Sequence, residues 1–330
     1  MDKVFYLKDF QKIEEATKDI LKDFYPFNSK VLVKIHFGEP GNKTAFTPKD
    51  IEPLVKAMES LNLTPIFIDT PVKYNSPRNS VEGYQKAVKE KGFDKLGDFI
   101  ISDNYIKISA KDFEVEVCRE LVKAENVLIV SHVKGHPCSG FGGAIKNLGM
   151  GGVSKKSKEI EHTLGQPVFV SECSGCGTCA KYCPFGAITI KDNRAMIDLE
   201  HCGGCSICQE VCPSKCLIPK KANFDDLLAQ GASAVINNLP PKTFYINYIK
   251  NITQGCDCPI DSGKIIAEDM GVVFSKNPVA IDKASVDLIN QKSGHDVFRD
   301  ENNKNPLGYV NFASIYTGYK TDYQIEGYNS

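Results

Sequence analysis

Eight cysteines near the middle of the chain fall into two copies of one spacing. Cys173, Cys176 and Cys179 are each separated by two residues, Cys183 follows after three more, and Pro184 comes next. Cys202, Cys205, Cys208, Cys212 and Pro213 repeat the arrangement. Three thiolates that close together on one loop can reach three corners of an iron–sulfur cube. Zinc typically takes its ligands as two pairs, so two trios, each followed by Cys-Pro, favour four-iron cubes over zinc. Pro184 and Pro213 suit the first position of a helix, which places each fourth cysteine at a helix start. Gly175, Gly177, Gly203 and Gly204 allow the loops to wrap a cluster and aim N–H groups at its sulfurs. Cys216 lies outside the pattern and reads as a small buried apolar residue.

From Ser171 to Ile218 this stretch resembles the bacterial-type two-cluster ferredoxins. The resemblance implies crossed ligand sets: Cys173, Cys176, Cys179 and Cys212 for one [4Fe–4S] cluster, and Cys202, Cys205, Cys208 and Cys183 for the other. Freely diffusing ferredoxins of this kind tend to be strongly acidic. Here five acids (Glu172, Asp192, Asp198, Glu200, Glu210) face four bases (Lys181, Lys191, Arg194, Lys215). A nearly neutral module suggests a relay wired into its own protein, with less need of long-range steering toward many partners.

The whole chain has 330 residues, 42% hydrophobic and 25% charged, with a formal net charge of −1. That is the composition of a folded soluble protein. The balanced charge and the lack of a basic aromatic surface argue against nucleic acid as a partner. No stretch approaches the roughly 18 apolar residues of a membrane helix, and the charged opening "MDKVFYLKDFQKIEE" lacks a signal-peptide core. The expected setting is the cytoplasm. In that reducing compartment thirteen cysteines point to metal binding rather than disulfides.

The flanks alternate strand and helix. "KVLVKIHF" (Lys30–Phe37), "TPIFIDT" (Thr64–Thr70) and "ENVLIVSHV" (Glu125–Val133) read as buried strands. Helices are expected from Phe10 to Phe24, after a Thr47 cap with Pro48 in the first turn, over Ser80–Gly92 and Asn223–Leu239, and between an Asn277 cap and a Gly294 stop. Tyr105–Cys118 alternates like a hairpin, and Gly263–Ser275 and Tyr309–Tyr319 read as strands. "KKSKEIEHTLGQPVF" (Lys155–Phe169) reads as a short charged connection. The fold class is therefore α/β: a split, mostly parallel-sheet domain over 1–168 and 220–330, with an α+β two-cluster ferredoxin-like module inserted at 169–219.

Two strands run into conspicuous loops, "HFGEPGN" (His36–Asn42) and "SHVKGHPCSGFGGAIKNLGMGG" (Ser131–Gly152). In parallel sheets ligands bind beyond the carboxyl ends of strands. These loops bring His36, His132, His136 and Cys138 toward one place. They are candidates for a shared metal or proton-transfer site, with ordinary structural histidines as the alternative. Gly140, Gly142 and Gly143 fit neither a dinucleotide fingerprint nor a P-loop, since Ile145 and Asn147 stand where those motifs need glycine and Ser or Thr. With Lys146 they form a candidate site for an anionic cofactor, held by backbone N–H groups and one ammonium; close packing of loop on sheet is the alternative. His162 reads as a solvated loop residue. Cys256 and Cys258 are two apart, a spacing suited to a soft metal, to redox exchange, or to nothing beyond a loop. Asp282, early in its helix, most simply complements that helix's N-terminus.

"KIHFGEPGN", "SHVKGHPCSGFGGAIKNLGMG" and "CPIDSGKIIAEDMGVVFSKNPVAID" together resemble an iron–sulfur family defined by a domain of unknown function numbered three hundred and sixty-two. That resemblance implies the split α/β domain and anaerobic-type redox metabolism. At the level of fold alone, the His36 and glycine-rich loops are also similar to those of nickel-pincer lactate racemase. The leading expectation is an iron–sulfur oxidoreductase that passes single electrons to a substrate, cofactor or partner at the His36, His132, His136 and Lys146 edge. Its partner would be a redox protein or a small-molecule acceptor. One alternative is a simple electron carrier with the α/β domain as docking platform. Another is a non-redox binding or oxygen-sensing protein with structural clusters.

Overall fold

The computed structural model describes residues 1–328. Eight strands form its central sheet: β1 (Asp2–Leu7), β2 (Lys30–Ile35), β3 (Thr64–Asp69), β4 (Asp98–Ile101), β5 (Asn126–His132), β6 (Lys242–Ile249), β7 (Gly271–Ser275) and β8 (Tyr323–Gly327). Their spatial order is β8-β1-β7-β6-β5-β2-β3-β4. Only β7 runs against the rest: it is antiparallel to both β6 and β1, while every other neighbouring pair is parallel. The sheet is thus mostly parallel, as expected. The continuous apolar runs of β2 and β5 are buried on both faces, which parallel strands sandwiched by helices require.

One face is covered by α1 (Ile13–Leu21), α2 (Pro48–Ser60) and α3 (Val81–Glu90), whose apolar stripes pack with Val31, Val33, Leu128 and Phe274. Thr47 and Asp50 form a capping box at the start of α2, two orphan donors satisfied reciprocally. The other face carries α4 (Ala144–Gly151), α5 (Lys155–Gly165), α6 (Phe224–Ile236), α7 (Pro278–Ser293) and α8 (Gly308–Thr317). Leu148, Leu228, Ala232, Ile281 and Val310 share one core there. Asn277 caps α7 through the N–H groups of Val279 (2.8 Å) and Ala280 (3.0 Å), and Gly294 ends it at φ +78°.

Three expectations are corrected. Tyr309–Tyr319 is not a strand: Tyr309, Val310 and Ala313 are buried together on one side of α8, which packs on α6. Aromatic and β-branched content suggested a strand, but the buried positions follow a helical period. The last strand of the chain is β8, at one edge of the sheet, and β1, inside the charged opening, is a strand before α1. Lys155–Phe169 is not a plain connection either, because most of it is helix α5, with Lys158 and Glu161 buried.

Residues 167–219 leave the sheet through a neck in which Pro167–Phe169 pairs antiparallel with Leu217–Pro219. Inside, the backbone repeats at the 29-residue offset of the cysteines. Gly175 and Gly204 have φ +65° and +61°, and Gly177 and Ser206 +77° and +67°. Short helices follow at Thr178–Lys181 and Ile207–Glu210. Cys183 and Cys212 do not begin helices. Each opens a turn closed by the N–H of Gly186 (3.3 Å) or Lys215 (3.1 Å), with proline second, the position a type I turn favours for it.

Candidate functional site

The chain order places a switch point between β2 and β5. From β2 the next strands, β3 and β4, add on one side, and β5 returns to the other. A crevice opens at such a point beyond the strand ends, and it is where His36 and His132 leave their strands. β2 itself carries Lys34, a cation inside an apolar run. Its Nζ meets Asp69 Oδ1 at 3.0 Å, both groups essentially unexposed, and Asn147 Oδ1 at 2.6 Å. A buried charge of this kind requires a paired partner, a signal already present in "KVLVKI".

Asp69, at the end of β3, also orients His36. Its Oδ2 lies 3.4 Å from His36 Nδ1 and accepts from Tyr84 at 2.5 Å. Burial opposes its charge, but Lys34 and His36 hold its carboxyl well below the usual range. The other ring nitrogen, His36 Nε2, is 3.9 Å from Cys258 Sγ and 3.5 Å from Arg78 Nη1. Burial works against a charged His36 ring, yet Asp69 and Cys258 together raise its pKa. The neighbouring Cys256 thiol, with His36 and Lys146, lowers the Cys258 pKa well below that of a free thiol, against the effect of burial. The order thiolate, imidazole, carboxylate is that of an activated nucleophile with its base and the group that orients the base.

The loop bearing Cys256 and Cys258 is clamped on every side. The Asp257 carbonyl accepts from Glu39 N–H at 2.9 Å, and the Cys256 carbonyl accepts from Ser262 Oγ at 2.8 Å. The Cys258 carbonyl accepts from Tyr74 and from Arg78 Nη2, each at 3.1 Å. Arg78 is fully buried and neutralised by Glu39 at 2.6 Å. Both cysteine residues remain partly exposed.

The predicted residues separate by role. His36 stands in the crevice. His132 is locked behind it, with Nδ1 2.7 Å from Asp257 Oδ2, Nε2 2.8 Å from the Lys250 carbonyl, and its ring stacked on Phe46. With both nitrogens facing oxygen acceptors, it braces the cysteine loop rather than facing a ligand. His136 Nδ1 accepts from the Cys138 N–H at 3.1 Å; burial, then the charge of Lys146, lowers its pKa well below the ordinary value, leaving a neutral ring. Lys146 acts on His136, Cys256, Cys258 and His162 through its charge, and among the described residues no hydrogen bond or ion pair ties its ammonium.

The backbone half of the anion site is corrected. Asp282 does not cap its own helix. It caps α4, accepting from Ala144 N–H at 2.6 Å and Ile145 N–H at 3.0 Å. Those donors are occupied by a carboxylate, so Gly143 offers no free cradle. Gly140, at φ +72°, has Lys304 and Pro306 backbone against it, which is the close-packing role. Of that candidate set, Lys146 is the one group whose charge no hydrogen bond or ion pair among the described residues engages.

His162 is not a solvated loop residue. It lies on α5, stacked on Phe224, with Nδ1 2.7 Å from the Gly203 carbonyl. Cys138 Sγ reaches the same carbonyl at 3.8 Å. The 202–208 loop therefore rests on the domain, with Cys205 and Ile207 inside the main core. The 173–179 loop faces outward, Cys176 being exposed. Cys173, Cys176, Cys179, Cys212 and Cys216 line one shallow recess, with Cys216 Sγ 3.6 Å from Cys212 Sγ. Cys183 and Cys202 are electrostatic neighbours of Cys205 and Cys208. Among the described residues no three His, Cys, Asp or Glu side chains close around a point as they would around a single metal ion, and no helix is long and apolar enough to cross a membrane.

No curated protein matches the chain. Two solved structures are similar to it in part: a Thermotoga maritima protein solved by a structural genomics consortium (10% identity, TM-score 0.42, 73% of this chain and 50% of that one), and the lactate racemase apoprotein of Thermoanaerobacterium thermosaccharolyticum (13%, TM-score 0.35, 76% and 51%). The chain spans about half the length of each. The family model described as "Domain of unknown function (DUF362)" matches residues 31–287, which takes in β2 to β7, the crevice residues and the whole cysteine-rich insert, and the chain belongs to that family.

Proposed function

We propose that the protein is an iron–sulfur oxidoreductase whose insert holds two [4Fe–4S] clusters and feeds electrons to the crevice between β2 and β5. The donor chemistry supports this reading. Eight thiols stand in two sets on loops with duplicated backbone, and the crossed set Cys173, Cys176, Cys179 and Cys212 lines one recess. Backbone N–H groups of Gly175 and Ala195 approach Cys173 Sγ at 3.5 Å, as donors to cluster sulfur do. When bound, the clusters supply single electrons.

The chain's own residues give the path a direction. The observation that carries the reading is the seating of Gly203 on His162 and Cys138, which sets the 202–208 loop against the wall of the crevice. The 173–179 loop stays open to an external donor. The charge balance of the insert agrees with an internal relay.

The test is anaerobic iron and sulfide analysis with electron paramagnetic resonance of the reduced protein. About eight irons per chain and two interacting spins are expected; zinc in place of iron would end the proposal. Replacing Cys176 or Cys205 by Ser should remove one spin system while the α/β domain keeps its circular dichroism.

A further inference from the structure

Cys256 and Cys258 belong to neither ligand set, yet they stand at the most organised point of the crevice. Their thiols are within hydrogen-bonding reach of each other. Cys258 Sγ has His36 Nε2 at 3.9 Å, and His36 has Asp69 at 3.4 Å. Glu39, Ser262, Tyr74 and Arg78 clamp the carbonyls of the loop, and both cysteine residues are partly exposed. Lys146 adds a cation that among the described residues no hydrogen bond or ion pair neutralises, whereas Arg78, a second cation nearby, is saturated by Glu39.

We propose that Cys256 and Cys258 are a redox-active dithiol that reduces a carboxylate-bearing organic disulfide. Cys258 attacks, Cys256 resolves, and Lys146 receives the carboxylate. The Cys258 thiolate attacks one sulfur of the disulfide, the S–S bond breaks, and the departing thiolate takes a proton from His36 Nε2. This leaves a mixed disulfide on Cys258. Neutral His36 then accepts the proton of the Cys256 thiol. Cys256 attacks Cys258 Sγ, releasing the second substrate thiolate and closing a Cys256–Cys258 disulfide. Two electrons and one proton reopen it, restoring the Cys258 thiolate and the Cys256 thiol beside the protonated His36 ring. The inference rests on the proposed relay for those electrons, which come one at a time from an external low-potential donor through the insert.

The experiment uses the cluster-loaded chain under anaerobic conditions, with glutathione disulfide as probe and peptide mapping by mass as readout. The native chain should form the Cys256–Cys258 disulfide and keep no lasting adduct. Cys256→Ser should trap one glutathionyl group on Cys258. Lys146→Met should slow the reaction with glutathione disulfide about tenfold relative to neutral bis(2-hydroxyethyl) disulfide, the effect of one partly shielded charge pair. Adducts scattered over other cysteines, with Cys256 and Cys258 still reduced in the native chain, would overturn the proposal without reliance on any variant's folding. If the disulfide forms but a photoreduced insert does not reopen it, the dithiol inference is supported and the relay is what fails.

Discussion

Glu161 is fully buried with neither carboxyl oxygen bonded. Burial pushes its pKa well above 4.5, against the opposing charges of Lys146 and Lys158. A folded-state pKa above the unfolded value means the stabilising protonated form is fully favoured below about 4.5, and stability is lost as pH rises from there toward the folded pKa. Glu161→Gln has no such titration. Its stability relative to the native chain should therefore rise as pH climbs above about 4.5, by at most about 1.4 kcal/mol for each pH unit until the folded pKa is passed; parallel denaturation midpoints across the range would contradict this. At the same scale His36→Asn removes the proton partner of Cys258, so iodoacetamide labelling of Cys258 at pH 7 should slow about tenfold, read by mass mapping. How far these residues were legible differs by residue. The cysteine trios declared themselves by spacing, and so did Cys256 and Cys258 as a pair. Asp69 and Arg78 did not, because a lone Asp at a strand end looks like any turn residue until Lys34 and His36 converge on it. His132 looked like His36 in sequence, and only the partners of its two nitrogens, Asp257 and Lys250, make it structural.

At the scale of elements, the start of α4 decides the crevice. Asp282 accepts from Ala144, Ile145 and the Asn247 side chain, although burial raises its pKa to about 6. Asp282→Ala would leave three buried donors unsatisfied. At about 1–3 kcal/mol each, with partial relaxation, the loss should be about 3–5 kcal/mol. It should appear as a lowered urea midpoint, and it should displace Lys146, one residue beyond the cap. A loss below 1 kcal/mol would mean that water satisfies these groups and that α4 holds itself. The sequence carried a Gly-rich stretch before a helix and an Asp early in another. Nothing local could reveal that the second fills the first, since the two lie 138 residues apart. Elements with strong local chemistry were legible: the boxed start of α2, the Asn277 cap, the Gly294 stop. α8 was not, because its Tyr, Val, Phe and Ile content suits a strand and only packing on α6 selects the helix.

At the scale of the molecule, the insert is rigidly docked because two glycines let backbones touch. Gly204 lies so close to α5 that a Cβ there would fall 2.0 Å from the His162 carbonyl, and a Cβ on Gly165 would fall 2.5 Å from the Gly204 carbonyl. In the first copy of the repeat the equivalent Gly175 presses instead on Asn193, within the insert itself. The duplicated loop thus exchanged an internal contact for one with the domain. Gly186 supplies the control: it shares the φ of +61° but has nothing within 4 Å of its Cβ position. Gly186→Ala should cost only the left-handed backbone term, about 1 kcal/mol. Gly204→Ala carries the same term and must also push the 202–208 loop off α5, breaking the Gly203 contact with His162. Its extra effect isolates docking from strain. Thermal unfolding followed by cluster absorbance and by far-ultraviolet circular dichroism should coincide in the native chain and in Gly186→Ala. In Gly204→Ala the cluster signal should fall first. Equal, coincident transitions in both variants would mean that the 202–208 loop does not depend on the sheet domain for its place, and the proposed path from the insert to Cys258 would lose its last step.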